Sequence, residues 1–186
     1  MKKIFIFILV SILMVGCGKK DNTDNVEKND QTTENKGQAD ENKDSTQVEP
    51  SGFVFKHNGI EIYMNTDVAP VIEALGEPLH YFESESCAFK GLDKVYTYGG
   101  FEISTYPLDG KDYISSIDLK DDTVSTTENI SLGSTVEEMI SVYGEDYTQS
   151  AGAYTYVKEE SKLQFVVNNN DEIIGITYLA IVEGLE

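Results

Sequence analysis

The chain has 186 residues, with 33 Asp+Glu against 14 Lys+Arg and a formal net charge of −19. Every basic residue is lysine, and the acid excess argues against nucleic acid as a partner, because phosphate contact needs clustered cations. Two Cys and two His are too few for a multi-ligand Cys/His zinc centre, so no metal ligand and no cofactor is assigned.

Residues 1–16 read as a signal peptide. Lys2 and Lys3 form a positive start, and Ile4 to Val15 is apolar apart from Ser11. Twelve residues span about 18 Å as a helix, short of the ~30 Å hydrocarbon core of a bilayer. The end of this segment, Leu13-Met14-Val15-Gly16-Cys17, resembles the lipobox of bacterial lipoproteins, with Met14 departing from the usual leucine. That resemblance implies a diacylglycerol thioether on Cys17, cleavage before it, and attachment to the extracytoplasmic face of the cell membrane. A plain signal peptide with an incidental cysteine is the alternative. The absence of arginine and the lipobox are associated with a Gram-positive host.

A tether follows over residues 17–50. Between Asp21 and Pro50 the apolar side chains besides Pro50 are Val26, Ala39 and Val48, and nine acids face three lysines. Such a segment buries too little surface to offset its chain entropy, so disorder is expected.

Residues 51–186 read as a globular domain that opens with a hairpin, Phe53–Met64, around Asn58-Gly59. A short amphipathic helix ends at Leu75 before Gly76, and a second ends at Tyr143 before Gly144. Ser134 and Glu137 read as a capping box for the second helix, and Pro70 is awkward early in the first. Strand patterns follow each helix: Lys94–Tyr98, Phe101–Tyr106 and Asp112–Leu119, then Ala153–Lys158, Lys162–Asn168 and Glu172–Ala180. Tyr96-Thr97-Tyr98 matches Tyr154-Thr155-Tyr156. The expected fold class is α+β: two tandem repeats, about 60–122 and 128–181, each a short helix followed by a three- to four-stranded antiparallel meander, with the helices on one sheet face.

On these residues the chain resembles the tandem-repeat fold of the β-lactamase-inhibitor-like proteins, and a single unit resembles the BamE type of outer-membrane assembly lipoprotein. The phrase Ser86-Cys87-Ala88-Phe89-Lys90-Gly91-Leu92-Asp93-Lys94 is similar to a motif of uncharacterised Firmicute lipoproteins. The resemblance supplies no activity.

Two features suggest a site. Tyrosine is abundant in the strands, and a Tyr-rich sheet face opposite the helices would suit a protein or glycan ligand. The segment Glu77–Val95 is also about ten residues longer than its counterpart after the second helix. Candidate binding residues are therefore His80, Tyr81, Phe82, Phe89, Tyr96, Tyr98, Tyr154 and Tyr156. No catalytic residue is assigned. Cys87 has Glu83 and Glu85 as sequence neighbours, which disfavour a thiolate, so a buried inert thiol is the expectation and a Cys87-dependent enzyme a minor alternative. The expected function is a membrane-anchored, non-enzymatic binding or envelope-associated module. The other alternative is a structural assembly lipoprotein of the envelope.

Overall fold

A computed structural model of the chain describes residues 50–182. The signal-peptide segment 1–16, Cys17 and the tether before residue 50 lie outside the described residues.

Strands β1 (Val54–His57) and β2 (Ile60–Tyr63) form a two-stranded hairpin in the register Val54↔Tyr63 to His57↔Ile60. Asn58 and Gly59 both take positive φ, 51° and 81°, the conformation a two-residue turn needs to follow the strand twist. Alternation sends Phe55 and Ile62 inward, where both are fully buried.

Helix α1 (Val68–Leu75) is capped by Asp67, whose side chain accepts from the Ala69 N–H. Pro70 sits in its first turn, where the missing N–H would have had no intrahelical acceptor, so the helix tolerates it. Helix α2 (Val136–Tyr143) starts with a capping box one residue later than the sequence pattern placed it, on Thr135 and Glu138. Ser134 is occupied otherwise: its Oγ accepts from the Ser131 N–H and its carbonyl from the Ile173 N–H.

The remaining strands are β3 (His80–Glu85), β4 (Leu92–Tyr98), β5 (Phe101–Leu108), β6 (Lys111–Leu119), β7 (Thr148–Ser150), β8 (Ala153–Lys158), β9 (Ser161–Val167) and β10 (Ile173–Ala180). They form one antiparallel sheet in the order β3-β4-β5-β6-β10-β9-β8-β7. The β6–β10 pair at its centre runs from Leu119↔Ile176 to Ser116↔Leu179. Phe55 of the hairpin lies over this junction, 5.0 Å from the Phe101 ring and 5.8 Å from Tyr178. Both helices contribute to the same core, α1 through Val68 and Val71 and α2 through Met139.

The expectation of an α+β molecule made of two tandem helix-plus-meander repeats is overturned. About 50% of the structure is strand and 12% is helix, in one eight-stranded antiparallel sheet and one two-stranded sheet. Each helix is only eight residues long and marginal without packing, so it cannot organise a half of its own. Burial centres instead on the junction between β6 and β10, beneath the β1–β2 hairpin, and Ile117, Leu119, Ile176 and Tyr178 form one core across it.

A second correction concerns the face opposite the helices. It is not rich in tyrosine. Cross-strand register puts His80, Thr97, Glu102, Asp118, Thr177, Gln164, Thr155 and Thr148 in a single polar row across all eight strands. Thr97 Oγ1 donates to Glu102 (3.1 Å), Thr177 Oγ1 to Asp118 (2.9 Å) and Gln164 Nε2 to Thr155 Oγ1 (3.1 Å). Lys120 adds an ion pair to Glu102 at 2.7 Å. Tyr96, Tyr98, Tyr154 and Tyr156 point the other way, towards the helices and the core.

Candidate binding surface at the β3 edge

The lengthened segment Glu77–Val95 forms β3, a turn, and the first residues of β4. Strand β3 is a free edge of the sheet, and all six of its residues are exposed. The Ser86 N–H donates to the Gly91 carbonyl (3.0 Å) in line with the Glu85↔Leu92 register. Antiparallel pairs alternate between bonded and unbonded, so His80, Phe82 and Ser84 exchange hydrogen bonds with β4. The backbone N–H and C=O groups of Tyr81, Glu83 and Glu85 therefore face away from the sheet. An edge of this kind is a template for another strand unless it is short, charged throughout, or bulged.

Large apolar side chains collect here. Leu79 is 68% exposed, Phe82 62% and Tyr81 49%, with Leu92 on the neighbouring strand also exposed. Tyr81 lies on the helix side, its ring 5.2 Å from Tyr96, and its hydroxyl donates to the Glu83 carboxylate. Below this pair Lys94 is bound to Asp112 at 2.7 Å. His80, Phe82 and Ser84 lie on the opposite face, where Ser84 is the cross-strand partner of Asp93. Asp93 Oδ1 is buried and has no hydrogen-bond partner among the described residues.

The turn after β3 is fastened to the sheet. Ser86 Oγ accepts from the Phe89 N–H (3.2 Å), and the Phe89 ring lies 5.2 Å from Tyr106. Phe89 and Lys90 border a shallow cleft of about 310 Å³ with Pro107, Leu108, Asp109 and Gly110. Cys87 is exposed on this turn, which corrects the expectation of a buried thiol. Two acid-rich loops, around Asp121–Asp122 and Asn168–Glu172, are held by local hydrogen bonds: Asp121 accepts from the Thr123 N–H, and Asn168 Oδ1 from the Asn170 and Glu172 N–H groups.

The sheet gathers some of the residues singled out from sequence and separates others. His80, Tyr81, Phe82 and Tyr96 come together at the β3–β4 edge, with Phe89 on the adjoining turn. Tyr154 and Tyr156 lie on β8, five strand spacings from β4, a separation of roughly 24 Å. Tyr98 and Tyr156 are committed to the fold: their hydroxyls donate to the carbonyls of Gly76 (3.1 Å) and Gly144 (2.8 Å), the residues that end the two helices. Tyr154 packs on Tyr147 at 4.9 Å. Sequence reasoning did not find Leu79, Leu92 or Asp93; the signal available was their flanking of the run His80–Glu85, aromatic in its first half and acidic in its second.

The tyrosines give an alkaline prediction. Burial pushes the Tyr156 phenol up to about 12. Burial, aided by the hydrogen bond to Glu128, raises Tyr143 further, and burial also raises Tyr178. An unfolded phenol ionises near 10.0. The native state therefore holds protons that the unfolded state releases, and this stability is complete below pH 10 and lost as pH rises through the folded values. In a titration followed at 295 nm, part of the absorbance change should wait for loss of the circular dichroism signal. Ionisation of all 11 tyrosines near pH 10 with the fold intact would contradict this.

Among the described residues, no helix is long and apolar enough to cross a membrane, and no group of three or more His, Cys, Asp or Glu is placed to hold a metal ion. No protein-family model matches the chain, and no curated protein or solved structure shows significant similarity to it.

Proposed function

We propose that this chain is an extracytoplasmic lipoprotein, attached through Cys17, that acts by binding another protein at the β3 edge and carries out no chemistry. The observation that carries the binding half is the exposure of Tyr81 and Phe82 on an unpaired six-residue edge strand, with exposed Leu79 just before it and exposed Leu92 on the neighbouring strand. An exposed apolar patch on such an edge is what a partner surface offers and what an isolated protein avoids. The anchoring half is supported by the lipobox-like run ending in Cys17. Residues 51–186 carry 24 acids and seven lysines, so anionic headgroups repel them within about 8–10 Å, and a polar tether lets the fatty chains insert while the folded part stands off.

The test uses the full chain in a bacterial host fed an alkyne fatty acid. The native chain should be labelled and sediment with membranes; Cys17→Ser should be unlabelled and released. Labelling of Cys17→Ser overturns the anchor. For the binding half, a photo-crosslinking amino acid at position 82 should give a discrete, saturable adduct, whereas one at position 157, exposed at the far end of the sheet, should not. Equal adducts at both positions remove the β3 edge from the proposal. The assembly-lipoprotein reading shares this surface and differs in having an envelope component as the partner.

A further inference from the structure

Resting on that reading, we infer that the β3 edge takes an extended polypeptide segment as a ninth strand, and that this segment has a basic half and an apolar half. Three observations specify it. The outward N–H and C=O groups of Tyr81, Glu83 and Glu85 supply a strand template. The chemistry of β3 is divided along its length. Its first part presents Tyr81 and Phe82, with Leu79 just before it; its last part presents Glu83 and Glu85 on the helix side. On the other face Ser84 is small and lies in front of Asp93, whose Oδ1 has no hydrogen-bond partner among the described residues. A lysine opposite Ser84 on an added strand would start about 10 Å from Asp93 and reach it across that small side chain.

Every pair in the sheet is antiparallel, so the added strand is assigned the same direction. Read from its own N-terminus, it then carries cations opposite Glu85, Ser84 and Glu83 and apolar residues opposite Phe82 and Tyr81. Charge selects against the other occupants. A second copy paired antiparallel in the register Tyr81↔Glu85 would set Glu83 against Glu83, and any register would bring together two bodies of net −17 over residues 51–186. The chain's own segment from Asp21 to Pro50 is also acidic, with nine acids and three lysines.

The probe is an acetylated peptide with three consecutive lysines followed by Val-Tyr-Val, titrated into the full chain in detergent. Three controls accompany it: the same peptide with glutamates for lysines, the lysine peptide N-methylated at alternate residues, and the Glu83→Pro protein. The N–H of Glu83 faces outward, so proline there removes a template donor while leaving the β3–β4 ladder its bonds. Saturable binding of the lysine peptide is expected, with the glutamate peptide at least tenfold weaker. N-methylation and Glu83→Pro should each weaken binding at least tenfold. If Glu83→Pro unfolds, the N-methylated peptide carries the test alone. Unchanged affinity for the N-methylated peptide refutes strand addition yet leaves binding at this edge standing. Equal affinity for the lysine and glutamate peptides refutes the basic half. A concentration-dependent dimer abolished by Glu83→Pro or Glu83→Lys would assign the edge to a second copy and overturn the inference.

Discussion

Replacing Phe55 by alanine is expected to cost about 3–5 kcal/mol, the range for removing a fully buried aromatic side chain. The position concentrates the effect. Phe55 comes from the β1–β2 hairpin yet touches rings from β5 and β10, so it ties a separate two-stranded sheet to both sides of the central junction. That junction is the shortest pairing among the six innermost strands, with four residue pairs. Little else in the hairpin can fill the space, because Ile62 is already fully buried. Urea unfolding should show a lower midpoint with an unchanged slope. Phe82→Ala, at an exposed position, should stay within about 0.5 kcal/mol of the native chain. A Phe55→Ala loss below ~1 kcal/mol would mean that the hairpin is not coupled to the sheet.

Gly100→Ala should be a strongly damaging single-methyl addition, at about 3 kcal/mol, combining backbone strain with overpacking. Gly100 has φ +85° in the turn between β4 and β5, and an added Cβ would lie 2.7 Å from Thr123 Oγ1 and 2.9 Å from Val124 Cγ1. Those atoms cannot easily withdraw. Asp121 holds Thr123, Val124 is in the core, and the Lys120 N–H donates to the Gly100 carbonyl at 2.8 Å. Gly59→Ala is the comparison. It also has positive φ, but no atom lies within 4 Å of the added Cβ, so it should cost about 1 kcal/mol. Thermal melting of the two variants side by side checks the difference.

Local pattern carried the strands well and the assembly poorly. Ala153–Lys158 was legible to the residue because alternation and aromatic content agree there. The two outer strands were not read as strands. β7 is Thr-Gln-Ser, and β3 is exposed along its whole length, so neither shows the one-sided burial that makes a strand visible in sequence. Tandem repetition was inferred from matches such as Tyr96–Tyr98 with Tyr154–Tyr156, but similar local patterns do not say which strands pair. The β6–β10 junction, which makes the sheet continuous, is a long-range pairing with no local signature. The tyrosines were assigned to the wrong face for a related reason. Alternation separates two faces without saying which one the helices cover, and a half-buried phenol such as Tyr98 can satisfy itself on a helix-end carbonyl. At the site, the length of Glu77–Val95 was informative, since a connection that long either folds into structure or carries function.

The two rims of the sheet are unequal, and that inequality limits how these molecules can crowd together. Endless polymerisation by backbone pairing needs a competent donor and a competent acceptor on every subunit. β7 offers only Thr148–Ser150, too few bonds to seat a neighbour, while β3 offers six residues. The eight-stranded sheet therefore has one sticky side, so accidental pairing along its rims stops at two molecules instead of propagating.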